Sequence, residues 1–413
     1  MPELSIAMLT TFYPPYSFGG DGIGVQRLST AFAGRGCEVT VIHDEDAYLL
    51  LAGAEPARSA PDPRVKVIGL RSRFGAASTL LTHQLGRPVV HGPRLRRILR
   101  SGAFDVIWYH NVSLIGGPSL LAVGDGLKIY EAHEHWLVCP THVLWRFNKE
   151  LCDERHCLRC TLSYRRPPQV WRYTNALARE LCHVDAFIAK SEFSRDIHQA
   201  FGFPKPMQVI PYFLPDEQRS DDAEAAPLER PYFLFVGRLE KIKGVQDVIP
   251  AFAGASGPDL LVIGTGEYEA VLRRQAADKP RVKFLGKLAP EALSRYYEGA
   301  IALIVPSVSY ETFGIILIEA FRKGTPVIAR RIGPFPEIVG RGGGVLFSDG
   351  DELREALGRL HDDANYRGRL AREARTAFET HWREDVVVDR YFDLLRGTAL
   401  AKGDARVLSA LKA

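Results

Sequence analysis

No apolar run in this sequence approaches the roughly 18 residues that a membrane-spanning helix needs. The opening Met1-Pro-Glu-Leu-Ser has no basic stretch ahead of an apolar one and passes straight into a strand-like run, so no secretory leader is expected. The expectation is a cytoplasmic protein, with the inner face of the membrane as the other location to consider. Charge of one sign is also missing. Lys and Arg number 53 against 49 Asp and Glu, leaving a formal +4, too small a bias to argue for nucleic acid as a partner. The tight turn G-x-G-x-x-G is absent after the first strand. The loop there, Thr10 to Gly24, is long and aromatic, which argues against a nicotinamide or flavin cofactor. No side chain stands out as a covalent nucleophile.

What is present is 413 residues at 46% hydrophobic and 25% charged, the composition of a soluble globular protein with two or three domains at roughly 150 residues each. Short β-branched runs alternate with helical stretches. In the first half the strands fall at Ser5 to Leu9, Cys37 to Ile42, Val65 to Leu70, Asp105 to Tyr109, Lys128 to Ala132, Ala186 to Ala189 and Met207 to Pro211, with helices over Val25 to Gly34 and Leu95 to Arg100. A polar, acidic stretch, Asp216 to Arg230, reads as a linker. The rhythm then restarts with strands at Tyr232 to Val236, Leu260 to Ile263, Val282 to Leu285, Ala302 to Val305, Pro326 to Ala329 and Val345 to Phe347. Helices over Val245 to Ala253 and Glu291 to Ala300 lie between them, and Asp351 to Leu395 is helical. Such alternation means parallel sheets covered on both faces. The expected fold is α/β, two Rossmann-like doubly wound domains (1–215 and 216–384) facing a central cleft, with a C-terminal helical segment (385–413) crossing back to the first. Ligands of such sheets bind outside the carboxyl ends of the strands.

The residues at those ends carry the chemistry. Arg238 follows Tyr232 to Val236, and Lys243 comes one loop later. Arg forks onto phosphate oxygens and Lys supplies a compact charge, which a diphosphate leaving group needs as its bond breaks. Gly264 and the pair Lys287-Leu288 end the next two strands. After Ile301 to Val305 come Ser307, Glu311, Phe313, Gly314, Ile315 and Glu319. Backbone N–H groups at the start of that helix can meet phosphate, and the two carboxylates can accept sugar hydroxyls. Read as helix, their eight-residue spacing covers about 12 Å, the span from one sugar to another across a diphosphate. In the first half Gly20 sits in the glycine-rich stretch before a helix. His133 follows Lys128 to Ala132, where an imidazole can bond a sugar hydroxyl or a developing charge.

Two features stand apart. Of six cysteines, Cys37 and Cys182 read as buried thiols. Cys139, Cys152, Cys157 and Cys160 cluster, and His156 lies among them. They read either as a structural zinc site or as free thiols. Arg94, Arg96, Arg97 and Arg100 with Leu95, Ile98 and Leu99 form a basic amphipathic stretch, which suits peripheral contact with an anionic membrane, an anionic acceptor, or simply a solvated helix face.

Taken together, Phe12-Tyr13-Pro14-Pro15 with Gly19-Gly20, Ala189 to Ser194, Phe235 to Leu239 with Lys243-Gly244, and P-S-x3-E-T-F-G-x4-E-A around Glu311 and Glu319 resemble, in order, the motifs of the family-4 glycosyltransferases of the GT-B fold. The match runs over nearly the whole chain. The resemblance implies that Arg238 and Lys243 hold the diphosphate of a UDP- or GDP-sugar, that Glu319 takes the ribose hydroxyls (the E-x7-E motif), and that Glu311 and His133 face the transferred sugar. Gly20 would lie under the phosphates or beside the acceptor. It further implies retention of anomeric configuration, a front-face displacement, no metal or other cofactor required for the chemistry, and a hydroxyl acceptor such as a glycan, lipid-linked saccharide or small molecule in polysaccharide biosynthesis. A sugar-nucleotide epimerase of the same build and a non-catalytic scaffold are the competing readings. Tyr212 departs from the Asn usual in the family, and Ile332 to Glu337 from its double glycine.

Overall fold

The structure, a computed structural model, describes residues 4–57, 61–216 and 230–411. Most of the acidic linker, 217–229, lies outside them. The chain forms two compact units, one of Met1–Pro211 with Val387–Ala413 and one of Tyr212–Val386.

The first unit is built on β1 (Ser5–Leu9), β2 (Glu38–Asp44), β3 (Val65–Leu70), β4 (Val106–Tyr109), β5 (Leu127–Ala132), a small hairpin of β6 (Trp145–Arg146) and β7 (Glu150–Leu151), β8 (Ala186–Ala189) and β9 (Gln208–Val209). Outside the hairpin these strands make one parallel sheet in the order β3-β2-β1-β4-β5-β8-β9. Leu9 pairs with both Ile42 and Tyr109, which centres β1. All four residues of β4 and all six of β5 are buried, as both covered faces of a parallel sheet require.

The helix expected over Val25 to Gly34 starts earlier, at Gly20. Its glycines are helical, and Asp21 in the first turn favours the helix N-terminus. The strand expected over Met207 to Pro211 shrinks to Gln208–Val209.

The second unit contains β10 (Tyr232–Val236), β11 (Asp259–Ile263), β12 (Val282–Gly286), β13 (Leu303–Val305), β14 (Val327–Arg330) and β15 (Gly344–Phe347), all parallel in the order β12-β11-β10-β13-β14-β15. Alternation splits its core. Tyr232, Leu234 and Val236 enter one apolar cluster, while Phe233 and Phe235 enter the other on the opposite face. The helix expected over Val245 to Ala253 is α-helical only over Val245–Val248 and continues as a tighter turn over Ile249–Phe252. Pro250 sits in that turn and has no N–H to give an α-helical ladder.

The helical tail divides into Gly350–Asp362, Ala364–His381 and Glu384–Lys402. The last of these carries the chain back into the first unit. There Phe32 meets Tyr391 and Phe392 at 5.9 and 5.4 Å between ring centres, and Lys402 reaches Asp185 at 2.7 Å. One more helix, Ala405–Ala410, follows beyond the reading of the sequence. It is capped by Asp404 through Val407 N–H.

Candidate active site

In the second unit the chain leaves β10 outward to β11 and β12, then returns to β13 on the other side. The carboxyl ends of β10 and β13 therefore flank a topological switch point, the place where doubly wound sheets receive ligands. Arg238 follows β10 and Glu311 follows β13. Lys243 ends a short turn, Lys241–Lys243, and its Nζ lies 2.6 Å from Glu311 Oε1. Ser307 Oγ donates to the same oxygen at 3.1 Å. Burial pushes the Glu311 pKa up, but Lys243, Ser307 and the nearby Arg238 outweigh it, so the carboxyl sits below its ordinary value and is ionised at neutral pH. The Arg238 side chain is 61% exposed and pairs with Glu240 at 2.8 Å. Two cations and one fixed carboxylate thus share the switch point.

Glycine geometry shapes the rest. Gly264, after β11, holds φ +138°, and a Cβ there would lie 1.8 Å from the Gly237 carbonyl. Only glycine lets those two strand ends approach so closely. Gly314 caps the helix Ile315–Arg322 at φ +96°, and a Cβ would strike the Phe335 ring at 2.6 Å. Here the sequence reading needs correction. Glu311 lies outside the helix, so the stretch from Glu311 to Glu319 is part loop, and the 12 Å span does not apply. The Phe313 side chain is core, 1% exposed and edge-on to Tyr212 at 5.7 Å. Only its backbone is available to a ligand. Leu288 and Ile315 likewise pack against the core cluster, whereas Lys287 is exposed. Glu319 is half-buried and accepts a hydrogen bond from Tyr297 Oη at 3.1 Å. Ser307 was named from the sequence without a role of its own, and Tyr297 was not named at all. The P-S-x3-E spacing carried a signal for Ser307, while Tyr297 lies on a different helix and had none.

In the first unit Gly20 is exposed at the start of its helix. His133 is not. Its side chain is 1% exposed, and its Nε2 sits 2.8 Å from His110 Nδ1. Beneath the two imidazoles lies Glu131, whose carboxylate contacts Lys190 Nζ and accepts from Trp108 Nε1 and Tyr391 Oη, each at 2.9 Å. Lys190 Nζ also reaches Tyr391 Oη at 2.7 Å. Burial raises the Glu131 pKa, yet Lys190 and the two imidazoles more than offset it, and the carboxyl is pushed down to about 2. The catalytic expectation for His133 thus meets a buried, partnered ring.

Burial holds several histidines neutral. His43, His83 and His110 are each pushed down to about 4, desolvation being the main cause. The unfolded chain takes up these protons below about pH 6.5 while the folded chain does not, so stability present above that pH is lost as pH falls toward 4. Asp44 works in the opposite direction. Burial lifts it to about 7, so its contribution grows as pH falls below 7. His91, His133, His135 and His198 are lowered by burial as well, so the histidines outweigh Asp44 and stability falls as pH drops from 7 toward 4. Melting temperatures recorded from pH 7 to 4.5 should fall steeply; a flat profile contradicts this account.

The cysteines do not form a ready metal site. Tetrahedral zinc with bonds of about 2.3 Å needs its sulfurs about 3.8 Å apart, yet among the described residues no three cysteine sulfurs lie within 4.8 Å of one another. Cys160 Sγ accepts from Phe147 N–H at 3.3 Å, and Cys139 Sγ bonds Thr141. Burial and the neighbouring thiols of Cys139, Cys157 and Cys160 push Cys152 up to about 12, so the four cysteines remain neighbours in the fold. Cys37 is buried as expected, but Cys182 is exposed, because it lies on the outer side of the short turn Leu181–His183, of which only Leu181 is buried.

Comparison with known proteins follows the same division. Residues 18–218 match the family described as Glycosyltransferase Family 4, and residues 216–377 match Glycosyl transferases group 1. A GDP-mannose-dependent monoacylated alpha-(1-6)-phosphatidylinositol monomannoside mannosyltransferase of Corynebacterium glutamicum is 34% identical over 172 residues, 38% of this chain and 45% of that protein. A D-inositol 3-phosphate glycosyltransferase of Corynebacterium urealyticum is 30% identical over 47% of this chain and 51% of its own length. The chain thus spans about half the length of these two relatives. Another protein of that name, from an Arthrobacter species, is 25% identical over 91% of this chain and 92% of its own. Among solved structures, sucrose-phosphate synthase of Thermosynechococcus elongatus has a TM-score of 0.74 at 19% identity, covering 97% of this chain and all of that one. Anabaena HepE in complex with UDP-glucose has 0.66 at 17%, covering 96% of this chain and 100% of its own. These two similarities are of fold.

Proposed function

This chain belongs to the family-4 glycosyltransferases of the GT-B fold, and from that membership we propose that it moves a hexosyl group from a UDP- or GDP-sugar to a hydroxyl acceptor with retention of configuration. One observation carries the reading: Arg238, Lys243 and Glu311 converge at the switch point of the second sheet, with Glu319 on the helix beyond. Two cations suit the pyrophosphate, on which charge grows as the glycosidic bond breaks. Lys243 carries three N–H donors, so it can hold Glu311 and still meet a phosphate oxygen. Glu319 accepts from Tyr297 at Oε2, and a carboxylate with its several acceptor sites suits ribose hydroxyls. The backbone at Phe313 and Gly314 presents the start of the Ile315–Arg322 helix to the phosphates. Gly264, Lys287, Leu288 and Ile315 line the carboxyl-end side of the sheet. In the first unit Gly20 is read beside the phosphates or the acceptor. His133 keeps its expected contact with the sugar only by turning its ring out of the His110 hydrogen bond.

No nucleophilic side chain is needed. In a front-face displacement the departing phosphate takes the acceptor proton as the new bond forms. The names of the relatives support a nucleotide-sugar donor, and for one of them a phosphatidylinositol-linked acceptor, so peripheral membrane contact belongs to this reading. Among the described residues no helix is long and apolar enough to cross a membrane.

The test is a thermal-shift series with UDP, GDP and their hexose derivatives. A ligand at about 100 times its Kd should stabilise the protein by about 2.7 kcal/mol. Glu319→Gln should weaken that shift while leaving the melting temperature of the free protein nearly unchanged. Absence of any shift across the series would overturn the proposal.

A further inference from the structure

Cys139, Cys152, Cys157 and Cys160 meet in the first unit. The thiols of Cys139, Cys157 and Cys160 all bear on Cys152, and Cys139 bears on Cys157 and Cys160 in turn. Local structure delivers them. The hairpin of β6 and β7 turns the chain, and Cys152 follows its second strand directly, its N–H bonded to the Leu144 carbonyl at 2.9 Å. Cys157 and Cys160 open the helix Cys157–Ser163, three residues apart and therefore on one face. Cys139 and Cys160 are buried, while Cys152 and Cys157 are half-buried, so the thiols reach from the core to the surface.

This excursion has little else to hold it. Strands of two residues are too short to keep a hairpin by themselves. Leu158 and Leu162 of the helix stand 46% and 56% exposed rather than in the core. Among the described residues six non-glycine residues take a positive φ, and five of them, His142, Leu144, Phe147, Asn148 and Arg165, fall around the thiols. Such conformations persist only where the surroundings fix them. The Phe147 N–H donates to Cys160 Sγ at 3.3 Å, and outer hydrogen bonds of this kind orient metal-bound ligands. Arg172 adds a charge argument. Its half-buried guanidinium donates to Gln169 Oε1 and to the Trp136 carbonyl, and it forms no ion pair among the described residues. It lies in the field of Cys139 and Cys157. A desolvated cation gains from an anion beside it, and neutral thiols supply none.

We propose that Cys139, Cys152, Cys157 and Cys160 bind one zinc ion that staples the hairpin to the helix. Four thiolates suit tetrahedral structural zinc, which leaves no open position for chemistry. On binding, the four thiols release their protons to solvent and each sulfur gives a lone pair to the metal; nothing is oxidised or reduced. The filled site carries a net double negative charge, which answers Arg172. Among the described residues no three of the sulfurs lie within 4.8 Å of one another, wider than a zinc tetrahedron. Turning χ1 from one staggered well to the next moves a sulfur by about 3 Å. Residues 153–156, between Cys152 and Cys157, are exposed and carry no helix or strand, so the open side can close. His156 is turned to Glu154 at 3.4 Å and stays outside the donor set. The inference does not rest on the donor reading.

Elemental analysis of the full chain, purified from zinc-supplemented cells without chelator, tests it. One zinc per chain is expected. Titrating the metal-free chain with Co2+ should produce thiolate-to-metal charge-transfer bands and the intense visible bands of a tetrahedral site. Alkylation under reducing conditions should spare the half-buried Cys152 and Cys157 until a chelator is added, whereas the exposed Cys182 reacts at once. Cys152→Ser and Cys160→Ser should each lower zinc content at least about tenfold, while Cys182→Ser keeps it. Removing zinc should lower the melting temperature and raise hydrogen exchange over residues 139–164. Absence of zinc together with absence of the cobalt bands, iron in its place, a disulfide among the four thiols, or full zinc content in both ligand variants overturns the site. Should a variant fail to fold, the zinc content, cobalt spectrum and alkylation pattern of the unaltered chain decide.

Discussion

Lys243→Ala is expected to lower kcat/KM for the nucleotide-sugar by roughly 10²–10³-fold, about 2.7–4 kcal/mol, the scale of removing one fixed charge-stabilising contact from a transition state. The effect should appear mainly in kcat, because negative charge on the leaving pyrophosphate is greatest as the bond breaks. Stability should also fall, because Lys243 and Glu311 are only 23% and 25% exposed and the substitution leaves a largely buried carboxylate without its nearest cation. The substitution also strips Glu311 of its nearest cation, so part of the loss could come through the carboxylate. Glu311→Gln and the double variant separate the two. If Lys243 acts on phosphate, the double variant is slower than Glu311→Gln alone. Steady-state rates within twofold of the unaltered enzyme would remove Lys243 from the mechanism.

The second large effect lies in the first unit. Lys190 and Glu131 are each 1% exposed, and Tyr391 from the returning helix bonds both. Lys190→Met should destabilise the protein by about 3–5 kcal/mol, because it leaves a buried carboxylate without its cation. For a domain of this size that is about 6–20 °C in melting temperature. Replacing both partners, K190M with E131L, should recover much of the loss, since the desolvation of two charges is then no longer required. The variant also tests how the tail is held. Tyr391 loses a partner, so hydrogen exchange in the Glu384–Lys402 helix should rise. A loss below about 1 kcal/mol would mean that Lys190 is not the charge balancing Glu131.

The two pairs explain how far the chain could be read before its structure was known. Strand positions were legible because a doubly covered parallel strand is a short, nearly continuous apolar run. Ser5–Leu9, Val65–Leu70, Ala186–Ala189 and Tyr232–Val236 were each read to the residue. The Arg238, Lys243 and Glu311 group was legible because all three residues follow strands, and topology gathers strand ends. Helix limits were less legible. Glycines at 20, 22 and 24 looked like loop and are helix. The Glu311–Glu319 stretch looked like helix and is half loop, because Gly314 adopts a left-handed conformation.

Side-chain partnership was not legible at all. His133 looked like a ligand contact and lies buried against His110. The four clustered cysteines are neighbours in the fold, but no three of their sulfurs come within 4.8 Å of one another among the described residues. Lys190 and Tyr391 are separated by some 200 positions, and no local pattern joins them. The sequence by itself determined the alternation of strand and helix, hence two parallel sheets and the strand ends that carry the charged groups. Those follow from local propensity and the periodicity of burial. Only the tertiary structure decided which charges neutralise one another and which imidazoles are sealed from water. Those depend on distances between residues remote in the chain, and burial changes the energy of a charge far more than the identity of its sequence neighbours does.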